Sequence, residues 1–206
     1  MFAVGHFALG YLGGKVSSKV VGVKFSLPLL FLASVFPDFD ILFPFLQHRG
    51  PLHSVVVLCL AFVPIFLLFR ARAVPYFVAV IMHGLVGDFL TGGFQMFWPL
   101  STDLFGLAIG MYSLTNVVLE SSLFVLAVGV MFKTNDIMLF FSHGSSNIFL
   151  SIPAMTVLLP SVLSFPLDVP SILLLPHLFW GALFGFSILF DLKSVLIKSN
   201  VSIQPS

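Results

Sequence analysis

The run Ser54-Val55-Val56-Val57-Leu58-Cys59-Leu60-Ala61-Phe62-Val63-Pro64-Ile65-Phe66-Leu67-Leu68-Phe69 carries no charge, and Arg70-Ala71-Arg72 closes it. A segment this apolar that ends on two arginines reads as a membrane-crossing helix, slightly short of the usual length of about 20 residues. Around it the pattern recurs. Apolar segments at roughly 2–19, 20–36, 74–94, 109–132, 145–164 and 170–192 join 54–69 to give about seven spans. The first two are short, and Lys15 and Lys19 at the end of the first fit a tilted or interfacial placement. The expected fold is all-α: one polytopic transmembrane helix bundle over 1–198, with 199–206 as a short tail.

Composition agrees. Of 206 residues, 59% are hydrophobic and 8% charged, and mean hydropathy is +1.13; soluble domains carry about a quarter charged residues. So little charge cannot cover a water-facing surface. The net charge of +1 provides no basic stripe, which argues against a nucleic-acid partner. One cysteine, Cys59, excludes an intrachain disulfide. The start Met1-Phe2-Ala3-Val4-Gly5-His6 lacks a basic n-region and a small-residue cleavage site, so the N-terminus is expected to be retained.

Positive charge sets the orientation. Lys15, Lys19 and Lys24, then Arg70 and Arg72, then Lys133, then Lys193 and Lys198 all fall on one side if the N-terminus is outside and the C-terminus cytoplasmic. The opposite loops, 95–108 and 165–169, hold Asp103 and Asp168 but no lysine or arginine. This topology brings His6, the loop 37–53, and the distal half of the fourth span to the extracytoplasmic face.

That loop is chemically dense. Pro37-Asp38-Phe39-Asp40 and His48-Arg49-Gly50-Pro51-Leu52-His53 place two carboxylates, two imidazoles and a guanidinium between apolar segments. Ionisable groups at membrane depth persist when paired, hydrated or metal-bound. Imidazole and carboxylate without thiolate suit zinc, manganese or non-haem iron in a catalytic setting, with zinc the first expectation. Either both aspartates face one ion, or one ligates while the other orients a histidine. Arg49 suits a substrate phosphate or carboxylate, or an ion pair with Asp38 or Asp40. Ser54 reads as a helix cap in preference to a nucleophile.

Within the fourth span, His83 and Asp88 are five residues apart, about 140° around a regular α-helix. A π-bulge, to which Gly84 and Gly87 are no obstacle, or ligation of different ions would reconcile them. Glu120, about two turns into the fifth span, and His177 lie at similar depth. Glycine spacings at Gly10 to Gly14, Gly106 to Gly110 and Gly181 to Gly185 fit close helix packing, within the chain or across a homo-oligomer.

His6, the PDxD and HRG-xx-HS elements, and His83 through Asp88-Phe89-Leu90-Thr91-Gly92 followed by Trp98-Pro99 resemble, in order and spacing, the YdjM-like family of membrane-bound hydrolases held to be metal-dependent. The resemblance covers about residues 1–100. It departs at Ile41, where the pattern often has histidine, at Leu52, where threonine is usual, and at Gly84, since the usual histidine stands four residues before the aspartate and here His83 stands five before. It implies one or two divalent ions, zinc first. The expected ligands are His6, Asp38, Asp40, His53 and Asp88, then His48 and His83. Asp40 and Glu120 are the expected proton acceptors, and Arg49 the group that stabilises substrate charge. The expected activity is hydrolysis of a lipid or lipid-linked (phospho)ester by a metal-activated water near the extracytoplasmic face. The other reading is a transporter or channel passing ions or protons along the His/Asp cluster, with Asp136 and His143 toward the far face.

Overall fold

The computed structural model describes residues 1–43, 45–144 and 146–201, with side chains up to Leu192 except that of Leu42. Residues 202–206, most of the expected tail, and the side chains of Lys193 and Lys198 lie outside it. Each of the seven apolar segments carries a helix. The first is α1 (Ala3–Val21), followed by α2 (Leu27–Val35), which continues as a 3₁₀ segment, Phe36–Leu42. A 3₁₀ turn, Pro51–His53, leads into α3 (Val55–Phe69). Next, α4 (Val74–Met82) runs on through a π-helical turn, His83–Asp88, into a last α turn, α5 (Phe89–Thr91). The remainder comprises α6 (Leu114–Lys133), two 3₁₀ segments, α7 (Ser151–Leu163) and α8 (Ser171–Val201). Among the described residues, strand-like pairing is limited to one bridge between Phe94 and Phe105.

Local chemistry explains the breaks. Ser54 and Ser113 accept the Val57 and Asn116 backbone N–H groups and so cap α3 and α6. Gly22, at φ +72°, ends α1 in the left-handed conformation. Pro28 opens α2 in its first turn, where no intrahelical N–H is lost.

The bundle is built around α1, which packs on α2, α4, α6 and α8. Val4, Phe7, Ala8 and Tyr11 are completely buried. At Gly10 the approach to α2 is so close that a Cβ would stand 2.3 Å from Ser34 Cβ, so only glycine fits. This small-residue face is used inside the chain. Phe7, Phe31, Trp180 and Phe184 form an aromatic cluster with ring centroids 5.0–6.1 Å apart. Such pairs contribute about 0.5–1.5 kcal/mol each beyond area burial.

Phe62 and Phe66 both stack on Phe77, and Leu58 joins Val80, so α3 and α4 form an antiparallel hairpin. Its outer face is left to lipid: Leu60, Leu67 and Leu68 are 65–77% exposed. Among the described residues, three helical stretches are long and apolar enough to cross a membrane: Val55–Thr91 (this hairpin), Leu114–Lys133 and Ser171–Leu192; the shorter Asn147–Leu163 is also apolar. The two ends of the bundle differ. At one, Lys15 and the Tyr11 hydroxyl both donate to Asp136 Oδ2 at 2.6 Å. The opposite end holds His6, Asp38, Asp40, His48, His53, His83 and Asp88.

Candidate metal centre

Asp38 arrives on the 3₁₀ segment after α2, His53 at the foot of α3, and His83 and Asp88 on the π-turn. Four of their donor atoms form a ring of alternating contacts. His53 Nε2 lies 3.4 Å from Asp38 Oδ1 and 3.3 Å from Asp88 Oδ2; His83 Nε2 lies 3.3 and 3.4 Å from the same two oxygens. Neighbouring corners of a tetrahedron are separated by about 3.3–3.4 Å when each lies about 2.0–2.1 Å from the centre, the ordinary zinc–nitrogen and zinc–oxygen distance. The spacing of these four contacts therefore suits a single divalent cation, with further coordination left to a water.

Tautomers sharpen the fit. His83 Nδ1 is 2.8 Å from the Ser34 carbonyl and must donate to it, so in the neutral ring Nε2 carries a lone pair. That lone pair faces two carboxylate oxygens. His53 Nε2, His83 Nε2 and Asp88 Oδ2 are buried without a hydrogen-bond partner among the described residues. Acceptors converging on one point repel each other unless a proton or a metal cation stands between them.

The π-turn makes this possible. Hydrogen bonds from i to i+5 stack residues five apart, as an α-helix stacks those four apart. The one-position displacement of His83 is thus offset by the one extra residue in the turn. Leu85, 39% exposed, takes up the outward position. At Gly87 a Cβ would lie 2.5 Å from His6 Cε1, so glycine lets the His6 ring lie flat on His83, with centroids 3.6 Å apart and planes 10° apart.

Asp40 stands behind the ring of donors. It lies 2.9 Å from His48 Nδ1, accepts the Arg49 backbone N–H at 3.1 Å, and has Oδ2 3.2 Å from His53 Nδ1, a close ionic contact not aligned as a hydrogen bond. Of the two readings of the aspartate pair, the structure has Asp38 in the ring and Asp40 orienting His53. Three overlapping groups can approach one ion: His6, Asp38 and His83; Asp38, His48 and His53; and His53, His83 and Asp88.

Electrostatics in the loop follow from this packing. Burial works to raise the Asp38 pKa, but the His83 and His53 imidazoles hold it well below the usual range. Burial likewise opposes ionisation of Asp40, and His48 and His53 outweigh it. For His53, burial lowers the pKa, yet contacts with Asp38 and Asp40 leave it raised.

Arg49 adopts φ +62°, a left-handed conformation that costs a non-glycine residue about 1 kcal/mol or more. The turn is held by Gln95 N donating to its carbonyl at 2.9 Å. It aims the guanidinium at Asp88 Oδ1, 3.3 Å away, with Thr91 Oγ1 accepting from Nη2 at 3.3 Å. A cavity of about 200 Å³ opens here, with Asp38, Arg49 and Asp88 at one end and Met155, Leu159 and Leu167 along its apolar wall.

Glu120 does not join this group. Its carboxylate accepts Phe2 N at 2.9 Å, Gly5 N at 3.1 Å and Asn116 Nδ2 at 2.7 Å. From α6 it caps the first turn of α1. Nor do Asp136 and His143 extend the cluster: the first is bonded to Lys15 and Tyr11, and the second lies 3.3 Å from Asp191. Sequence reasoning missed Thr91, which tethers Arg49, and gave His177 no role. His177 Nδ1 donates to the Leu173 carbonyl at 2.8 Å, and its ring lines the cavity. Thr91 sits four residues after Gly87, whose carbonyl accepts its hydroxyl at 3.0 Å, and that spacing was a legible signal.

No curated protein and no solved structure matches the chain. A family model described as YdjM inner membrane protein matches residues 1–166, which include every residue of the candidate centre. This is a membrane protein, and it belongs to the YdjM inner membrane protein family.

Proposed function

We propose that the chain is an integral-membrane, metal-dependent hydrolase of a lipid or lipid-linked (phospho)ester. The observation that carries this reading is the ring of His53, His83, Asp38 and Asp88 donor atoms, with its unpartnered nitrogens, at the polar end of an apolar cavity. A divalent metal, zinc first, with one or two ions accommodated by the overlapping groups, would supply a water of lowered pKa and polarise a phosphoryl or carbonyl oxygen. Asp38, His53, His83 and Asp88 would hold it, with His6 and His48 beside them.

The remaining roles belong to the chain's own groups. Asp40 fixes the His53 ring so that Nε2 faces inward. Arg49 presents a planar fork of donors to an anionic substrate oxygen. Met155, Leu159 and Leu167 seat the hydrocarbon part of the substrate and keep bulk water from the reacting bond. The lysine and arginine distribution supports an extracytoplasmic position for this end of the bundle, with the C-terminus cytoplasmic.

Purified protein should contain stoichiometric zinc or another transition metal by elemental analysis, and should release phosphate, headgroup or fatty acid from a panel of phospholipid and lipid phosphate substrates. Absence of metal, together with unchanged turnover in Asp88→Ala and His53→Ala, would refute the reading. Retained metal with ion or proton flux into proteoliposomes would support the transporter alternative.

A further inference from the structure

A second cavity lies on the outside of the bundle, away from the candidate metal centre. It runs between α2 and the α3–α4 hairpin and encloses about 500 Å³. It exists because α2 leans on α1 and α4 while α3 packs chiefly on α4, and because Ala33, Ala61 and Ala73 present small side chains along the gap. Nearly all of its lining is apolar, except at one end, where Lys24, Arg72 and Tyr76 meet.

We propose that this groove binds one anionic phospholipid in the leaflet on the lysine- and arginine-rich side. Length is the first argument. The groove follows α3 from Leu58 to Phe69, about 16 Å at 1.5 Å per residue. That is twelve of the fifteen residues of α3, so an acyl chain entering at the Lys24 and Arg72 end has an apolar track leading deep into the membrane.

Charge is the second argument. Lys24 and Arg72 are both exposed, and neither forms an ion pair or hydrogen bond among the described residues. They come from different turns, Lys24 between α1 and α2 and Arg72 between α3 and α4, so the fold brings them to one mouth. Arg72 offers a planar fork and Lys24 a point charge, a pairing suited to phosphate oxygens. Basic pockets between membrane helices recognise anionic headgroups in this way. The Tyr76 hydroxyl accepts the Ser26 N–H at 2.7 Å. Its own proton has no acceptor among the described residues and remains for a headgroup oxygen.

The test is lipid retention by the intact chain in detergent, read by native mass spectrometry after exchange with phosphatidylglycerol or phosphatidylethanolamine. Wild type should hold one phosphatidylglycerol in preference to phosphatidylethanolamine. Lys24→Gln with Arg72→Gln should weaken that preference about tenfold or more, and Ala61→Trp, which fills the groove, should abolish retention of both lipids. Thermal melting of each variant verifies that it is folded. Equal retention of the two lipids by wild type, or unchanged preference in the double variant, would overturn the proposal. So would cross-linking of Ala61→Cys between two copies in a Cys59→Ser background, which would make the groove a protein interface.

Discussion

Asp40 and Asp88 are both buried carboxylates beside His53, yet their substitution should produce different failures. Asp88→Asn removes a corner of the donor ring, and stoichiometric metal should be lost on dialysis. Asp40→Asn leaves the corners intact but loosens the His53 ring, and metal affinity should fall about 10- to 100-fold while full occupancy is regained at excess metal. Elemental analysis across a metal titration separates the two. Glu120→Gln should differ again, because its oxygens serve backbone N–H groups: the melting temperature should fall by the equivalent of about 1–3 kcal/mol with metal content preserved. A Glu120 acting as base would give the reverse, with stability kept and turnover lost.

The same residues predict a pH dependence. In metal-free protein His53 has a raised pKa, so its proton contributes stability below the ordinary value of about 6.5, and that contribution is lost as pH rises through the raised value. Metal must displace this proton, so uptake should strengthen with pH and release protons into solution. Calorimetry in buffers of differing ionisation enthalpy counts them. At this scale most of the centre was legible, since histidine and aspartate stand out in so apolar a chain. The amide contacts of Glu120 were not legible, because a lone buried carboxylate looks the same in sequence whether it faces a substrate or two backbone amides.

Among the elements, the π-turn from His83 to Asp88 is the most informative. The 140° mismatch on a regular helix, with Gly84 and Gly87 between, pointed to it from sequence alone. If the turn exists to absorb one extra residue, deleting Leu85 should let α4 continue as a regular helix, with histidine and aspartate four apart and metal still bound. Loss of metal by this variant, in protein that keeps its helical circular dichroism and melting behaviour, would sink the idea. The α3–α4 hairpin shows what sequence withholds. Residues 54–69 announce an apolar helix, but apolarity is the same on every face, so nothing in it marks Leu58 and Phe62 as packed and Leu60 and Leu67 as lipid-facing.

Across the molecule, the segregation of Lys15, Lys24, Arg70, Arg72 and Lys133 from the histidine-rich end supports the sidedness inferred from charge. In a Cys59→Ser background, Ser101→Cys should react with an impermeant thiol reagent from outside the cell, and Ala71→Cys only after the membrane is opened. The opposite labelling pattern would invert the topology and place the candidate centre at the cytoplasmic face. The cavity wall from α7 and the following loop was not legible at all. It depends on Met155, Leu159 and Leu167 being brought over Arg49 by tertiary packing.

The carboxylate of Glu120 on the amides of Phe2 and Gly5 also has a consequence for biosynthesis. During translation α1 leaves the ribosome first, but the group that caps it comes 115 residues after Gly5. Until α6 is made and inserted, the Phe2 and Gly5 amides at the first turn of α1 stay open. A nascent chain stalled before residue 120 would therefore hold every candidate metal ligand on a helix whose first turn is not yet capped.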